Sequence, residues 1–135
     1  MNENTKSETL NSKQNPSYQA QNHKQYDLED RCLKFARRTN AYVNNLPKTI
    51  TNIENGKQLA RSSGSVGANY IEANESMSRK DFIMRAKISK KEAKESRFWI
   101  ALTEPFTQNQ QEKAGLNQEA TELMKILGAI LENSK

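Results

Sequence analysis

Apolar residues recur every three or four positions along most of the chain, the spacing that places them on one side of an α-helix. The first such segment runs from Asp27 to about Leu46, with carboxylates in its first turn and Pro47 after its end. The second runs from about Lys48 to Asn74. Its predicted buried stripe consists of Ile50, Ile53, Leu59 or Ala60, Ser63, Val66 or Gly67, Tyr70, Ile71 and Met77.

A polar corner at residues 76–81 separates the second segment from a third. Ser78 precedes Asp81 by three residues, which resembles a capping box and predicts a helix start there. The apolar face then continues to Leu102, and Pro105 ends or kinks the helix. Residues 107–113 are polar and predict a connection or helix end, and a fourth stripe follows a boundary at Gly115 and covers residues 116–131.

The middle of the second segment is rich in small residues, from Ser62 to Ala68, including Gly64 and Gly67. Each glycine costs up to about 1 kcal/mol relative to alanine inside a helix, so the run alone is typical of a loop. The helical period nevertheless continues in phase across it. We therefore predict a helix whose small side chains let a neighbouring backbone approach closely.

Four amphipathic segments without an alternating strand pattern predict an all-α fold, an antiparallel up-down-up-down four-helix bundle spanning residues 26–135. Residues 1–25 are polar and almost free of apolar side chains, and we expect them to form a disordered N-terminal tail. No repeat of solenoid length is present.

Three blocks of sequence resemble a known family. They are Arg-Ser-Ser-x-Ser-x-x-Ala-Asn-x-x-Glu-Ala at Arg61–Ala73, Ser-x-Lys-Asp-Phe-Ile at Ser78–Ile83, and Lys-Glu-Ala-x-Glu-x-x-x-Trp at Lys91–Trp99. Together they are similar to the four-helix bundle proteins also called 23S ribosomal RNA intervening-sequence proteins. The likeness covers about residues 26–133.

The resemblance implies an antiparallel bundle that associates into a ring, commonly a homopentamer. Some members are encoded inside intervening sequences of large-subunit ribosomal RNA genes. A related branch serves as an accessory to diversity-generating reverse transcriptases, where nucleic-acid binding by a basic pentameric barrel is proposed. No enzymatic activity is attached to the family.

The formal net charge is +5, and the N-terminal tail contributes little to it. A basic balance favours polyanionic partners such as RNA or DNA, although it also serves solubility alone. Cys32 is the only cysteine, which fits a reducing cytoplasm. No apolar run approaches the length of a membrane span or signal sequence, so we expect no membrane partner.

The third helix is the most basic segment, with eight cationic residues against three acidic ones. Such a run is either a solvated helix face or a surface for phosphate groups, which a cyclic oligomer would repeat around its ring. Arg37 and Arg38 on the first helix are secondary candidates. The candidate nucleic-acid-binding residues are Arg79, Lys80, Lys87, Lys90, Lys91 and Lys94.

A second set of polar residues lies where the second and third helices face each other. The set comprises Arg61, Ser65, Asn69, Glu72, Glu92 and Glu95. We interpret it as a structural network of mutually paired buried groups; the alternatives are a network between protomers and a carboxylate metal site. A bundle metal site of that kind needs histidine, and the single His23 lies in the predicted tail, so we expect neither metal nor cofactor.

Phe98 and Trp99 could stack on bases, but their position on the apolar side predicts packing in the core or at a subunit interface. Cys32 is expected in the core. No phosphate loop, catalytic triad or cofactor motif occurs, so no enzyme is expected. The sequence favours an oligomeric nucleic-acid-associated or scaffolding factor, with a module that binds the protein product of a neighbouring gene as the alternative.

Overall fold

The computed structural model describes the backbone of residues 16–135 and the side chains of residues 27–135. This part of the chain forms four α-helices and no strand, which confirms the predicted all-α class. The helices are α1 (Pro16–Asn44), α2 (Ile50–Asn74), α3 (Arg79–Leu102) and α4 (Gln110–Glu132). A 3-10 turn at Thr107–Asn109 precedes α4.

Hydroxyl side chains cap two of the helices at their first turns. The Thr49 hydroxyl accepts a hydrogen bond from the backbone N–H of Asn52 at 3.1 Å, and α2 begins at the next residue. The Ser78 hydroxyl accepts from the N–H of Asp81 at 3.1 Å, which confirms the predicted start of α3. Each bond satisfies one of the amide groups that a helix leaves unpaired at its N-terminus.

Each helix packs against two neighbours: α1 and α3 both contact α2 and α4. Two ion pairs join α1 to α4, between Arg31 and Glu119 at 2.6 Å and between Arg38 and Glu112 at 3.1 Å. The core between the helices is apolar. Its buried members are Leu28, Cys32, Phe35, Tyr42, Leu46, Leu59, Val66, Tyr70, Ala93, Ile100, Leu116, Ala120, Leu123 and Leu127.

The buried side chain of Asn52 ties two connections together. Its Nδ2 donates to the carbonyl oxygens of Pro47 and Glu104, both at 3.0 Å, and its Oδ1 accepts from the N–H of Glu104 at 2.9 Å. The α1–α2 and α3–α4 connections therefore lie side by side at one end of the helices.

The small-residue run of α2 is helical throughout, as predicted from its period. Ser62 and Ser63 are fully buried, and the Ser89 hydroxyl of α3 donates to the Val66 carbonyl at 2.7 Å. A side chain reaching the backbone of the facing helix requires a close approach, which only small residues at the contact allow. The run thus forms a close contact between α2 and α3.

Two predicted helix ends differ from the structure. Helix α1 begins at Pro16 rather than at Asp27, because proline fits the first helical turn, where its missing N–H is not needed. Helix α4 begins at Gln110, so Gly115 lies inside it rather than at its boundary. Residues 16–25 of the tail that was predicted at residues 1–25 therefore belong to α1, and the expected disorder of residues 1–15 lies outside the described residues and stays a prediction.

Part of the buried stripe predicted for α2 is wrong. Ile50 and Met77 are 83% and 97% exposed, and Ile53 and Ile71 are also exposed. The close contacts on the buried side are instead made by small residues, among them Gly56, where a Cβ would lie 3.0 Å from Val43. At about 100° per residue, Ile53 and Ile71 lie about 120° around the helix from the buried Leu59, outside the buried side.

Candidate nucleic-acid interface

Four lysines form one exposed face of α3, which we call the lysine face: Lys80, Lys87, Lys91 and Lys94. At about 100° per residue they fall within an arc of roughly 60°. Buried residues such as Ala93, Ser96 and Ile100 occupy the opposite side of the helix and pack into the bundle. The amphipathic pattern that buries α3 therefore also aligns its lysines toward solvent.

Two of the six predicted nucleic-acid-binding residues lie off this face. Lys90 is half-buried against α4, where a Cβ on Gly128 would lie 3.4 Å from its Nζ. Arg79 is exposed, but its guanidinium donates hydrogen bonds to the Ser134 carbonyl near the C-terminus. The candidate surface thus consists of the lysine face, with Lys90 and Arg79 along its α4 side.

The acidic residues in the middle of α3 are bound by a cation from another helix. Arg61 of α2 donates to both Glu92 oxygens at 3.3 and 3.5 Å and to Glu95 at 2.9 Å. Glu92 is buried, so Arg61 supplies the charge partner that a buried carboxylate requires. Both carboxylates are held on the α2 side of α3, so neither is paired with an ammonium group of the lysine face.

Across residues 27–135, no ion pair involves a lysine of the lysine face. Lysines elsewhere do have such partners: Lys34 pairs with Asp30 at 3.1 Å, and Lys57 with Glu54 at 3.6 Å. The exposed ammonium groups of α3 therefore produce a local positive field, which attracts polyanions. Of the secondary candidates, Arg38 is paired with Glu112, whereas Arg37 is exposed.

The remaining members of the predicted polar network follow α2 away from Arg61. The Ser65 hydroxyl donates to the Arg61 carbonyl at 2.9 Å, and the Asn69 amide donates to the Ser65 carbonyl at 2.9 Å. Asn69 also accepts from Arg85 of α3 at 3.3 Å. Glu72 is exposed and its carboxylate takes no part in these bonds, so the prediction that it belongs to the network is wrong.

Arg85, Ser89 and Ser96 of α3 belong to the same contact. The helical period predicts both serines on the buried stripe of α3, and both are buried, but neither they nor Arg85 were assigned to the network. Ser96 and Ser89 each bond across to α2, through the Ser62 hydroxyl at 2.8 Å and the Val66 carbonyl at 2.7 Å. The network is therefore longer than predicted, and it is partly exposed rather than fully buried, because the Arg61 and Glu95 side chains reach solvent.

The two adjacent aromatic residues of α3 differ in environment. Trp99 is partly buried and packs against the core, as expected. Phe98 is 59% exposed within the chain, so it does not pack in the core, and its alternative place at a subunit interface stays a prediction. Their rings meet edge to face, with centroids 5.1 Å apart.

Cys32 is fully buried, which confirms its predicted place in the core. Its Cβ lies 3.0 Å from where a Cβ on Gly67 would be, so α1 and α2 approach closely at this point. Burial raises the pKa of the Cys32 thiol to about 12. The side chain is therefore protonated at neutral pH and acts as a small apolar group.

The described residues contain neither a grouping of metal ligands nor a membrane-spanning helix. Among the side chains of residues 27–135, no three or more histidine, cysteine, aspartate or glutamate residues are grouped so that they could hold a metal ion. No helix in the described part of the chain combines the length and the apolar character needed to cross a membrane.

The fold and its basic helix can now be compared with known proteins. The family model described as "23S rRNA-intervening sequence protein" matches residues 24–129, which include all of α2 and α3. The chain belongs to this family. Comparison with the curated proteins finds no match.

A solved structure supports the assignment to the 23S rRNA-intervening sequence protein family. It is the 1.70 Å crystal structure of a protein of unknown function from Bacteroides thetaiotaomicron VPI-5482, assigned to the S23 ribosomal protein family. The two chains are 30% identical, and the superposition covers 81% of this chain and 98% of the other with a TM-score of 0.68. The family resemblance predicted from the three sequence blocks is thus confirmed.

Proposed function

We propose that this protein is a non-enzymatic factor that binds the phosphate backbone of nucleic acid, RNA or DNA, through the lysine face of α3. The observation that carries the proposal is the absence, within residues 27–135, of any carboxylate paired with these lysines, while Arg61 holds Glu92 and Glu95 to one side. Lysines that neutralise phosphates release condensed counterions, so this binding is independent of sequence and weakens steeply with salt.

RNA is the first nucleic acid to test. The family name refers to 23S rRNA, and the solved relative is assigned to a ribosomal protein family. These names describe the relatives and the genes in which some of them occur. They support the choice of ligand, and the charge distribution of α3 supports the mode of binding. The buried thiol of Cys32 suits a reducing compartment, and we propose that the protein acts in the cytoplasm.

We also propose that the helices form an antiparallel up-down-up-down bundle and that several copies form a ring, a homopentamer by the family resemblance. The contacts support the first part: Asn69 bonds to Arg85, whereas Arg61, eight residues earlier in α2, bonds to Glu95, ten residues later in α3. In a ring, each copy repeats the lysine face, so several weak phosphate contacts act on one polyanion.

An electrophoretic mobility shift with a structured RNA, at low and at physiological salt, tests nucleic-acid binding. We expect a shift at low salt that weakens at physiological salt, because each neutralised phosphate adds to the salt dependence. Absence of a shift at both salt concentrations contradicts the proposal. Sedimentation of the free protein tests the ring, and a monomer at micromolar concentration contradicts that part alone.

A second candidate function is binding of a protein partner, and exposed apolar residues at the ends of the bundle favour it. Ile50 is at the start of α2, and Phe106 lies in the α3–α4 connection beside it; Met77 lies at the corner at the opposite end. Co-expression with the product of a neighbouring gene tests this alternative. Co-purification that survives nuclease treatment and is lost in an Ile50→Glu variant supports it. Co-purification that is lost after nuclease treatment, or that Ile50→Glu leaves unchanged, contradicts it.

A further inference from the structure

Phe98 continues the line of the lysine face at its C-terminal end. It follows Lys94 by one helical turn and Lys91 by two, and at about 100° per residue it is in line with Lys80. More than half of its surface is exposed. An exposed aromatic ring aligned with unpaired cations is the combination that proteins use to bind unpaired nucleotides.

Trp99 contacts the Phe98 ring from the side of the bundle. The two rings are at 75° to each other with centroids 5.1 Å apart, and Trp99 in turn packs against the core. Phe98 is kept out of the bundle by helical phase, because it is in line with the lysine face. Its exposed surface is therefore available to a flat group.

We propose that Phe98 stacks on an unpaired base while Lys94 and Lys91 bind the adjoining phosphates, so that the ligand is a single-stranded segment of nucleic acid. This inference rests on the proposed function and specifies its ligand. The rise from Lys94 to Phe98 is about 6 Å, so a nucleotide whose phosphate meets the lysine can place its base on the ring. Bases in a duplex are stacked on one another and do not offer their faces to a side chain on a helix surface.

The charges around Phe98 favour nucleic acid over a second copy of the chain as the group that covers it. A contact of this face with the same face of a second copy would bring the ammonium groups of Lys91 and Lys94 together without a carboxylate. A head-to-tail contact would place a different face of the second copy against Phe98, and the sedimenting mass of the Phe98→Ala variant tests that case. A nucleic acid strand supplies both the negative charge and the flat apolar surface. Charge complementarity thus selects the partner.

Fluorescence anisotropy on the full chain can test the inference with two probes of equal length, an unstructured 20-nucleotide single-stranded RNA and a 20-base-pair RNA duplex. We expect Phe98→Ala to weaken single-strand binding about tenfold, since alanine substitution of a stacking aromatic typically removes most of the contribution of one base. Duplex binding should stay within twofold of the parent. Phe98→Trp should retain single-strand binding, whereas Phe98→Leu, which is apolar but cannot stack, should resemble Phe98→Ala.

Trp99 provides a second readout, because it is the only tryptophan in the chain and its ring meets Phe98. A base stacked on Phe98 lies next to the indole, so the single-stranded probe should change the tryptophan emission and the duplex should not. Circular dichroism of each variant establishes that the helices are retained, as expected for an exposed position.

The outcomes separate the inference from the proposed function. Binding of both probes with equal affinity, unchanged by Phe98→Ala, overturns stacking and leaves phosphate binding in place. Binding of neither probe by the parent overturns both. A lower sedimenting mass of Phe98→Ala shows that a second copy covers the ring, which also overturns the inference. Selective loss of the single-stranded probe, together with retention by Phe98→Trp, supports it.

Discussion

The hydroxyl oxygens of Ser62 and Ser96 lie 2.8 Å apart across the contact between α2 and α3, and both residues are fully buried. Each serine also has a carbonyl acceptor in its own helix, Glu92 for Ser96 at 2.9 Å and Leu59 for Ser62 at 3.3 Å, so either hydroxyl can be the donor in the bond between them. The bond joins small side chains at the close contact of the two helices. It lies beside the ion pair of Arg61 with Glu92, one residue along α2 and one turn along α3.

Substitution of Ser62 by leucine should destabilise the protein by about 1 to 3 kcal/mol or more, because the added methyl groups have no space at the helix contact. Ser62→Ala should cost only about 1 kcal/mol, since Ser96 keeps its bond to the Glu92 carbonyl. Urea denaturation followed by circular dichroism measures both changes. Equal destabilisation by the two substitutions would show that the helices are not closely packed at this point.

Gly64 and Gly67, two of the three glycines of α2, should respond differently to alanine. Nothing lies within 4 Å of a Cβ on Gly64, so Gly64→Ala should stabilise the helix by about 0.5 to 1 kcal/mol. A Cβ on Gly67 would meet the Cβ of Cys32 at 3.0 Å, an atom held by its backbone. Gly67→Ala should therefore gain less or destabilise. Thermal unfolding of both variants checks the order, and a Gly67→Ala protein more stable than Gly64→Ala would contradict the contact between α1 and α2.

Two buried threonines form a matched pair for substitution by valine. No hydrogen-bond partner of the Thr39 hydroxyl occurs in the described part of the chain, whereas the Thr103 hydroxyl donates to the Ile100 carbonyl at 2.6 Å and lies 2.7 Å from the Tyr42 hydroxyl. Thr39→Val should stabilise the protein by about 1 kcal/mol, because it removes a buried polar group without a bond. Thr103→Val should destabilise it by about 1 to 2 kcal/mol.

Denaturant titration of the two valine variants measures both effects, and Thr103→Val serves as the control for the volume and shape of the substitution. If Thr39→Val were as destabilising as Thr103→Val, the Thr39 hydroxyl would have a partner in the folded protein.

Stability should fall with pH above about 9 because of Cys32. Burial raises the pKa of its thiol from 9.0 to about 12, so the folded chain keeps the proton in a range where the unfolded chain releases it. The contribution is fully present below pH 9 and is lost as pH rises toward 12, with a slope of about 1 kcal/mol per pH unit. The difference in unfolding free energy between the parent and Cys32→Ala, measured from pH 8 to 10.5, isolates this effect.

Burial raises the pKa of Tyr42 and of Tyr70 in both proteins, so the contribution of Tyr42 cancels in that difference. The contribution of Tyr70 cancels except for a small part, because Cys32 is the weakest of the causes that raise its pKa. A difference that stays constant over the range would show that the thiol is solvated. Since Cys32 is the only cysteine, slow reaction with a thiol reagent in the native protein, accelerated by urea, provides an independent check.

Periodicity alone predicts the four helices. Each helix buries one face, so its apolar residues recur with the helical period. The cap at Ser78 is also predictable from local sequence, because a serine three residues before an acidic residue can accept a hydrogen bond from an unpaired backbone N–H of the first helical turn. Periodicity fails for Ile53 and Ile71, because hydrophobicity does not show how close the neighbouring helix is. At the close contact between α2 and α3, the buried residues of α2 include Ser62 and Ser63, whereas Ile53 and Ile71 are exposed.

The candidate surface was predictable only in part. The spacing of Lys87, Lys91 and Lys94 places them on one face, and the structure has them there. Helical spacing cannot show that Lys90 is directed over Gly128 or that Arg79 is bound by the Ser134 carbonyl, because both depend on where α4 lies. Nor does the sequence show that one arginine on α2 binds both central carboxylates of α3.

The direct test of the central claim compares two triple alanine variants that carry the same charge. One removes Lys87, Lys91 and Lys94 from the lysine face. The other removes three lysines that are paired with acids elsewhere on the surface, namely Lys34, Lys57 and Lys135. Each variant lowers the formal net charge from +5 to +2, since three lysines each lose one charge.

Binding of a single-stranded RNA to the parent and to both variants is measured by anisotropy as a function of salt concentration. We predict that the lysine-face variant loses affinity at least tenfold and that its salt slope falls by about 0.7 for each phosphate contact removed, while the paired-lysine variant binds like the parent. Equal affinities and equal slopes for the two variants would contradict the claim that the lysine face of α3 binds nucleic acid.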